Sequence, residues 1–369
     1  MGVLQSLYVI AIPIIIVLLL FLLPLPSTRQ HYYEATTQAA LAQIPVKFLK
    51  VTRNDSESVK FLNVTANSEP VLFRELYTSG HDNPHPELCP YLGMNLRLMI
   101  LITSDPSHFK ERIAIRMTWR HYAARADVSS GFFLGYPPSN LKSDIEAEDK
   151  LYKDIIFGRF VDSYSNLTLK TVSMLEWVDT YCYLVPKMLK TDDDVFVNVP
   201  NLLHFSDAQL NATRTIWGVD RNNRKVERKY KHFVPRSQYP GDVFPKFVVG
   251  PAYLITSDCI KDILVAAPNK TYLRLEDVFV TGVLRKELGI KRQIVEEFGH
   301  YKGDIFKPCL AKRKIAIHSV AYLEQFHYWQ TIHTGKVKCL SWRGETFPDV
   351  TDTASVALYR RSTTKHTNT

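Results

Sequence analysis

The chain opens on an apolar run and then alternates, for most of its length, between short strand-like and longer helix-like patterns. Leu7 to Pro26 (LYVIAIPIIIVLLLFLLPLP) has no charged residue; about twenty such residues span a bilayer. The run exceeds the apolar core of a signal peptide, and no small-x-small cleavage site follows closely. A signal-anchor helix is therefore expected over 7–26, in preference to a cleaved leader. Residues 1–6 form a short tail without Lys or Arg, and Arg29 lies just beyond the span, so the positive-inside rule does not orient it. From Ser27 to Leu88 the chain is polar and irregular and runs into GHDNPHPELCP, as expected of a stem. The patch VLFREL (Val71–Leu76) keeps open a small subdomain that packs on the body.

From Leu96 the pattern sharpens. LRLMILITS reads as a buried strand, HFKERIAIRMTWRHYA (His108–Ala123) has helical spacing, and GFFLGY (Gly131–Tyr136) is a short apolar strand. Leu141–Lys153 and Asn166–Val178 read as helices, the second amphipathic. YLVPKMLK leads into the acidic triplet, and TIWGVD and KFVVGPAYLIT read as later strands. EDVFVTGVLRKELG (Glu276–Gly289) follows as a helix. Strands alternating with helices predict an α/β domain with a mainly parallel sheet, expected over 89–345 and followed by a polar tail at 346–369. In such sheets ligands bind beyond the carboxyl ends of strands.

Composition adds the compartment. Of 369 residues 46% are hydrophobic and 22% charged, and the net charge of +9 is scattered, densest at Arg221–Lys231. That field suits an anionic ligand such as a nucleotide. Without zinc-finger spacing, an RNP motif or repeats, no nucleic-acid partner is expected. Five N-x-[ST] sequons, at Asn54, Asn63, Asn166, Asn211 and Asn269, point to a lumenal domain. Five cysteines (Cys89, Cys182, Cys259, Cys309, Cys339) fit an oxidising compartment, and the odd number leaves at least one unpaired within the chain.

The chemistry concentrates in KTDDDVFVN, Lys190–Asn198. Three adjacent carboxylates repel one another, and desolvating them is costly without a cation nearby. A helix cap or turn explains one or two aspartates and not three. A calcium loop would need ligands at alternate positions, a central Gly and a final Glu, which are absent. A divalent metal shared between carboxylates and a substrate diphosphate is a third reading, and on spacing alone it stands level with the other two together. Asp192 and Asp194 point to one side of an extended segment and can meet one ligand. A second acidic pair, Glu276 and Asp277, starts a helix, where the macrodipole stabilises a carboxylate. It is a plain helix-end decoration or the base that complements the metal.

These segments together resemble a known family. Arg112-Ile-Ala-Ile-Arg116-Met-Thr118-Trp119 is similar to the RxxIRxTW motif of the β-1,3-glycosyltransferases, the β-1,3-galactosyl- and N-acetylglucosaminyltransferases related to Fringe. GFFLG resembles that family's FLLG strand. Tyr152–Val178 resembles its D-F-x-D-x-Y-x-N-L-T-x-K-T segment, with Arg159 where the leading Asp is expected. KTDDDVFVN resembles its metal-binding signature and EDVFVTG its EDVyvG motif, in matching order over roughly Cys89 to Cys339.

The resemblance implies a GT-A fold and an inverting transfer from a UDP-sugar with Mn2+. It makes Asp194 a direct metal ligand, with Asp192 and Asp193 binding metal, ribose, sugar or metal-bound water. Glu276 then lies beside the donor and Asp277 is the general base. His318, in KIAIHSV, matches a histidine metal ligand; read on its own it caps a strand as readily. Arg112, Arg116 and Trp119 fall where the family lines its nucleotide site, although the residues alone read as an amphipathic helix with Trp119 in the core. Glu176 and Trp177 read as scaffold. Cys89, Cys182, Cys309 and Cys339 match positions where relatives often have cysteine, leaving Cys259 as the odd one. Arg120 in place of a Gly departs from the pattern, as do Val248 in place of a Cys and Pro251, and these last two lie in the segment that the resemblance implies shapes the donor-sugar or acceptor pocket.

The expectation is a type II Golgi membrane protein anchored in the bilayer through 7–26, its catalytic domain lumenal, with a homodimer left open. It would move galactose, or else N-acetylglucosamine or N-acetylgalactosamine, in β-1,3 linkage to a glycoprotein or glycolipid glycan. The rivals are a catalytically silent glycan-binding relative and a metal-dependent nucleotide-sugar hydrolase.

Overall fold

A computed structural model describes residues 69–220, 224–229, 232–299 and 308–333. The expected anchor at 7–26, most of the stem, the tail at 346–369, Asn54, Asn63 and Cys339 lie outside those residues. Among the described residues no helix is long and apolar enough to cross a membrane. Among the described residues ten strands are formed: β1 (His81–Asn83), β2 (Leu98–Thr103), β3 (Val128–Tyr136), β4 (Ile155–Val161), β5 (Lys187–Asp192), β6 (Val195–Val197), β7 (Thr215–Gly218), β8 (Ala252–Thr256), β9 (Lys291–Ile294) and β10 (Ala316–His318). The helices that matter here are α1 (Phe109–Arg116), α2 (Lys142–Tyr152) and α3 (Leu167–Tyr181).

Eight strands make one sheet in the order β1-β4-β3-β2-β5-β8-β7-β9, and β6 pairs with β10 in a separate ribbon. The run Leu98–Thr103 is buried along its whole length because it lies at the centre with layers on both faces, the usual place of a continuous apolar strand. The sheet is mixed: six of its eight strands run in one direction, and β1 and β8 run against them. The block β4-β3-β2-β5 is parallel as expected, but β8 runs antiparallel to both β5 and β7, and β1 is antiparallel to β4. This reversal has a consequence for the site. Thr191 of β5 pairs with Ala252 of β8, so the turn that opens β8 lands beside the carboxyl end of β5.

Two helical expectations change in detail. The segment from His108 splits: α1 ends at Arg116, and a 3-10 turn runs from Trp119 to Ala124. Thr118 at the break has non-helical backbone angles, and its hydroxyl donates to the Ala114 carbonyl at 2.7 Å. The helix after Glu276 is wound as a π-helix over Val278–Leu284, a form enriched at functional sites. There the Thr281 hydroxyl donates to the carbonyls of Asp277 (2.6 Å) and Val248 (3.0 Å), tying this helix to the strand-turn before β8.

Val71–Leu88 packs on the body, the alternative that the VLFREL patch left open. Phe73 is buried and stacks on Phe279, Glu176 accepts bonds from Tyr77, Ser79 and the Gly80 amide, and β1 extends the sheet. Cys89 and Cys182 form a disulfide, Cys309 is disulfide-bonded, and Cys259 is the free, buried thiol. Phe73→Ala is expected to cost about 3–5 kcal/mol in denaturant unfolding. A cost near zero would detach this segment from the cooperative body.

Candidate active site

The acidic triplet sits where β5 ends and β6 begins, and each carboxylate has its own partner. Asp192 Oδ1 accepts from the Lys190 ammonium and from the Thr103 hydroxyl, each at 2.5 Å. Asp193 Oδ2 is 2.9 Å from His108 Nδ1. Asp194 Oδ2 is 3.2 Å from His318 Nε2, because the β6–β10 ribbon sets His318 opposite Val195. Burial would raise the Asp194 carboxyl, but the His318 hydrogen bond and charge outweigh it and hold the group below its ordinary value.

Lys190 joins this corner to the second acidic pair. Its side chain is buried among Asp192, the Gly250 carbonyl (2.8 Å) and Glu276 Oε1 (3.3 Å). Burial works against the charged form, yet the two carboxylates outweigh it and hold the ammonium proton well above lysine's usual range. Glu276 is itself buried, and burial lifts its carboxyl above the ordinary glutamate value despite Lys190. Its other oxygen is 3.4 Å from the Tyr253 hydroxyl.

Asp277 is partly exposed at the start of the π-helix, where its carboxylate accepts from the Val278 amide at 2.8 Å and the Gly250 amide at 3.1 Å. Gly250 thus binds Asp277 through its N–H and Lys190 through its C=O. A Cβ there would lie 2.6 Å from Glu276 Oε1, so the close approach requires glycine.

Asp192, Asp193, Asp194, Glu276, Asp277 and His318 all line one cleft of about 1260 Å3. The two acidic corners that the sequence suggested are therefore brought together. Arg112 and Arg116 are not. Both are buried behind the cleft wall in an ion-pair cluster with Glu148 and Asp154. Arg112 Nη2 is 2.8 Å from Glu148 Oε2, and its Nη1 donates to the Ser104 hydroxyl and the Asp105 carbonyl. Their expected contact with a nucleotide gives way to this arrangement: Arg112 does not line the cleft but clamps the loop whose Ser104 and Asp105 do. Trp119 fills the core, with its indole N–H on Gln325 at 3.1 Å. Trp177 is buried too, and Glu176 holds the 77–80 segment.

Sequence reasoning missed Thr103, His108, Lys170 and Gly250 and gave Lys190 no role. Lys170, on α3, lines the cleft with its ammonium 2.7 Å from Asp162. Only Lys190 carried a local signal, as the cation that begins the acidic motif.

Among the described residues no group of three or more His, Cys, Asp or Glu side chains is arranged to hold a metal ion. Asp194 and His318 supply two donors that open on the cleft. That number fits an ion of the Mg2+ or Mn2+ type, which keeps waters and takes oxygens from substrate phosphates.

The Asp193 hydrogen bond, followed by the charge, raises the His108 imidazole to about 9 against partial burial. The raised value means that the pair's contribution to stability is complete below the ordinary histidine value of 6.5 and is lost as pH rises through about 9. In metal-free protein the His108 ring resonance is expected to titrate near that upper value, falling towards 6.5 in Asp193→Asn. An unchanged midpoint in that variant would dissolve the pair.

Comparison with known proteins agrees with this geometry. Residues 110–296, half of the chain, match the galactosyltransferase family. Human beta-1,3-galactosyltransferase 5 is 32% identical over 260 residues, covering 69% of this chain and 81% of that protein. Mouse beta-1,3-galactosyltransferase 1 is 32% identical over 245 residues, covering 65% and 74%. Among solved structures, galactosyltransferase LgtC in complex with donor and acceptor sugar analogs overlaps loosely. Its TM-score is 0.34 and its identity 10%, over 67% of this chain and 99% of that one, too loose to carry an argument. The family match and the extent of the identity assign the chain: it belongs to the galactosyltransferase family and is a β-1,3-galactosyltransferase-like glycosyltransferase.

Proposed function

We propose that this glycosyltransferase transfers galactose from UDP-galactose, with inversion and with the help of a divalent cation, to a hydroxyl of a glycan in β-1,3 linkage. The observation that carries the reading is the shared cleft, in which Gly250 links the Lys190–Asp192 corner to Asp277.

Asp277 is the general base. Its carboxylate faces the cleft and is oriented by two backbone amides, so it can take the proton of an acceptor hydroxyl as the oxygen attacks the anomeric carbon. A single base opposite the leaving group gives inversion with no covalent intermediate. Glu276, buried against Lys190, fixes that lysine and the Gly250 turn. Asp194 and His318, with Asp192 beside them, would hold Mn2+, and Asp193 would orient its surroundings through His108. A bound cation would offset the charge that grows on the departing diphosphate.

The same reading makes the protein a type II Golgi enzyme held in the membrane by residues 7–26. The Cys89–Cys182 disulfide suits an oxidising lumen. The Asn211 and Asn269 sequons are exposed, whereas the Asn166 side-chain amide donates to the Val161 carbonyl at 2.9 Å.

The test is a transfer assay with UDP-galactose, UDP-N-acetylglucosamine and UDP-N-acetylgalactosamine against a glycan array, with and without Mn2+. A glycosidic galactose product that requires the metal is expected; free sugar alone would favour a hydrolase. Asp277→Asn is expected to leave UDP affinity within a few-fold and to cut transfer by about 10²–10⁴-fold. Undiminished transfer in that variant would put the base elsewhere.

A further inference from the structure

Three cations that line the cleft are matched by acids. Lys170 is paired with Asp162, Lys190 with Asp192 and Glu276, and His108 with Asp193. Arg274, three residues before Asp277, also lines the cleft and is not matched in this way. Among the described residues no carboxylate forms an ion pair with it. Its guanidinium stacks over the Tyr164 ring, 5.5 Å from the centroid, and Nη1 reaches only the Phe233 carbonyl, at 3.4 Å. Nε is shielded from solvent and has no hydrogen-bond partner. The Gln238 side chain accepts from the Arg274 backbone amide at 3.1 Å and so fixes the residue's backbone. The buried Nε holds the stem of the side chain, and the Nη donors, of which Nη1 has only the long Phe233 bond, are the ones that a ligand oxygen in the cleft can take.

Its position indicates which ligand. Arg274, Tyr164 and Asp277 all line the cleft, and the three residues of chain from Arg274 to Asp277 can separate their Cα atoms by no more than about 11 Å. Arg274 therefore belongs to the Asp277 side of the cleft, where the attacking hydroxyl must lie.

We propose that Arg274, stacked on Tyr164, sets acceptor specificity by taking a negatively charged substituent of the acceptor glycan, a carboxylate or a sulfate ester. Planar guanidinium donors suit both groups, and a charge-assisted contact of this kind changes affinity by about tenfold to a hundredfold. The inference rests on the transferase reading above for the word acceptor, but the anion site can be measured without turnover.

The experiment uses the full-length chain with UDP and Mn2+ on an array of glycans in matched sets: neutral, uronic acid or sialic acid, and sulfated forms of the same core. Binding is read directly, and transfer is read in parallel. Anionic members are expected to bind at least tenfold tighter than their neutral matches, with the carboxylate and sulfate arms naming the source of charge. Arg274→Gln should bring the anionic-to-neutral ratio to about one, and Arg274→Lys should keep part of the preference. A ratio near one in the native protein, or a preference that survives Arg274→Gln, would overturn the proposal. So would a matching loss of affinity for UDP alone, which would assign the guanidinium to the nucleotide. Anion-dependent binding without product from any UDP-sugar would end the transferase reading and leave the anion site standing.

Discussion

A single buried ammonium group organises this protein's cleft. Lys190 is held by Asp192 from its own strand, by Glu276 from a helix more than eighty residues later, and by the Gly250 carbonyl between them. Each of these charges, buried alone, would cost several kcal/mol, so none is tolerable there without the others. Their mutual need fixes the end of β5 against the start of the π-helix. The result is a concave wall on which Asp194 and Asp277 remain open to ligand while Lys190 and Glu276 stay inside.

The sheet topology serves the same end. In a fully parallel sheet the residues before β8 would lie at the far edge from the acidic triplet. The antiparallel pairing of β8 with β5 returns the Gly250–Pro251 turn to Asp192, whose amide donates to the Pro251 carbonyl at 2.9 Å. On the other side, Arg112 reaches across from α1 to bind Glu148 on α2 and the Ser104–Pro106 loop. The cleft is therefore held at its floor by one buried cation and at its wall by another.

Much of this was legible in the chain. The apolar run Leu98–Thr103, the helices α2 and α3, the acidic triplet and the Glu276–Asp277 pair are all strong local signals. What escaped was set by distant contacts. Period-2 alternation gives a strand but not its direction, so the reversal of β8 could not be read from its sequence. The i, i+4 spacing of Arg112 and Arg116 puts both on one helix face. Only the packing of Glu148 and Asp154 against that face turns it inward. His108 carries no motif, and its role comes from the loop that brings it to Asp193. Family membership rests on many weak segments in order, whereas Arg274, on which the proposed acceptor preference rests, belongs to no motif.

The most direct test of the account is a double-mutant cycle in denaturant unfolding with Lys190→Met and Glu276→Gln. Removing Lys190 alone should cost about 3–5 kcal/mol, because the buried Glu276 carboxylate, and with it the partly exposed Asp192, loses its counter-ion. Adding Glu276→Gln should recover part of that cost, with a coupling above about 1 kcal/mol. Strictly additive effects would mean that Lys190 does not join the two acidic corners, and the single site derived from them would fall.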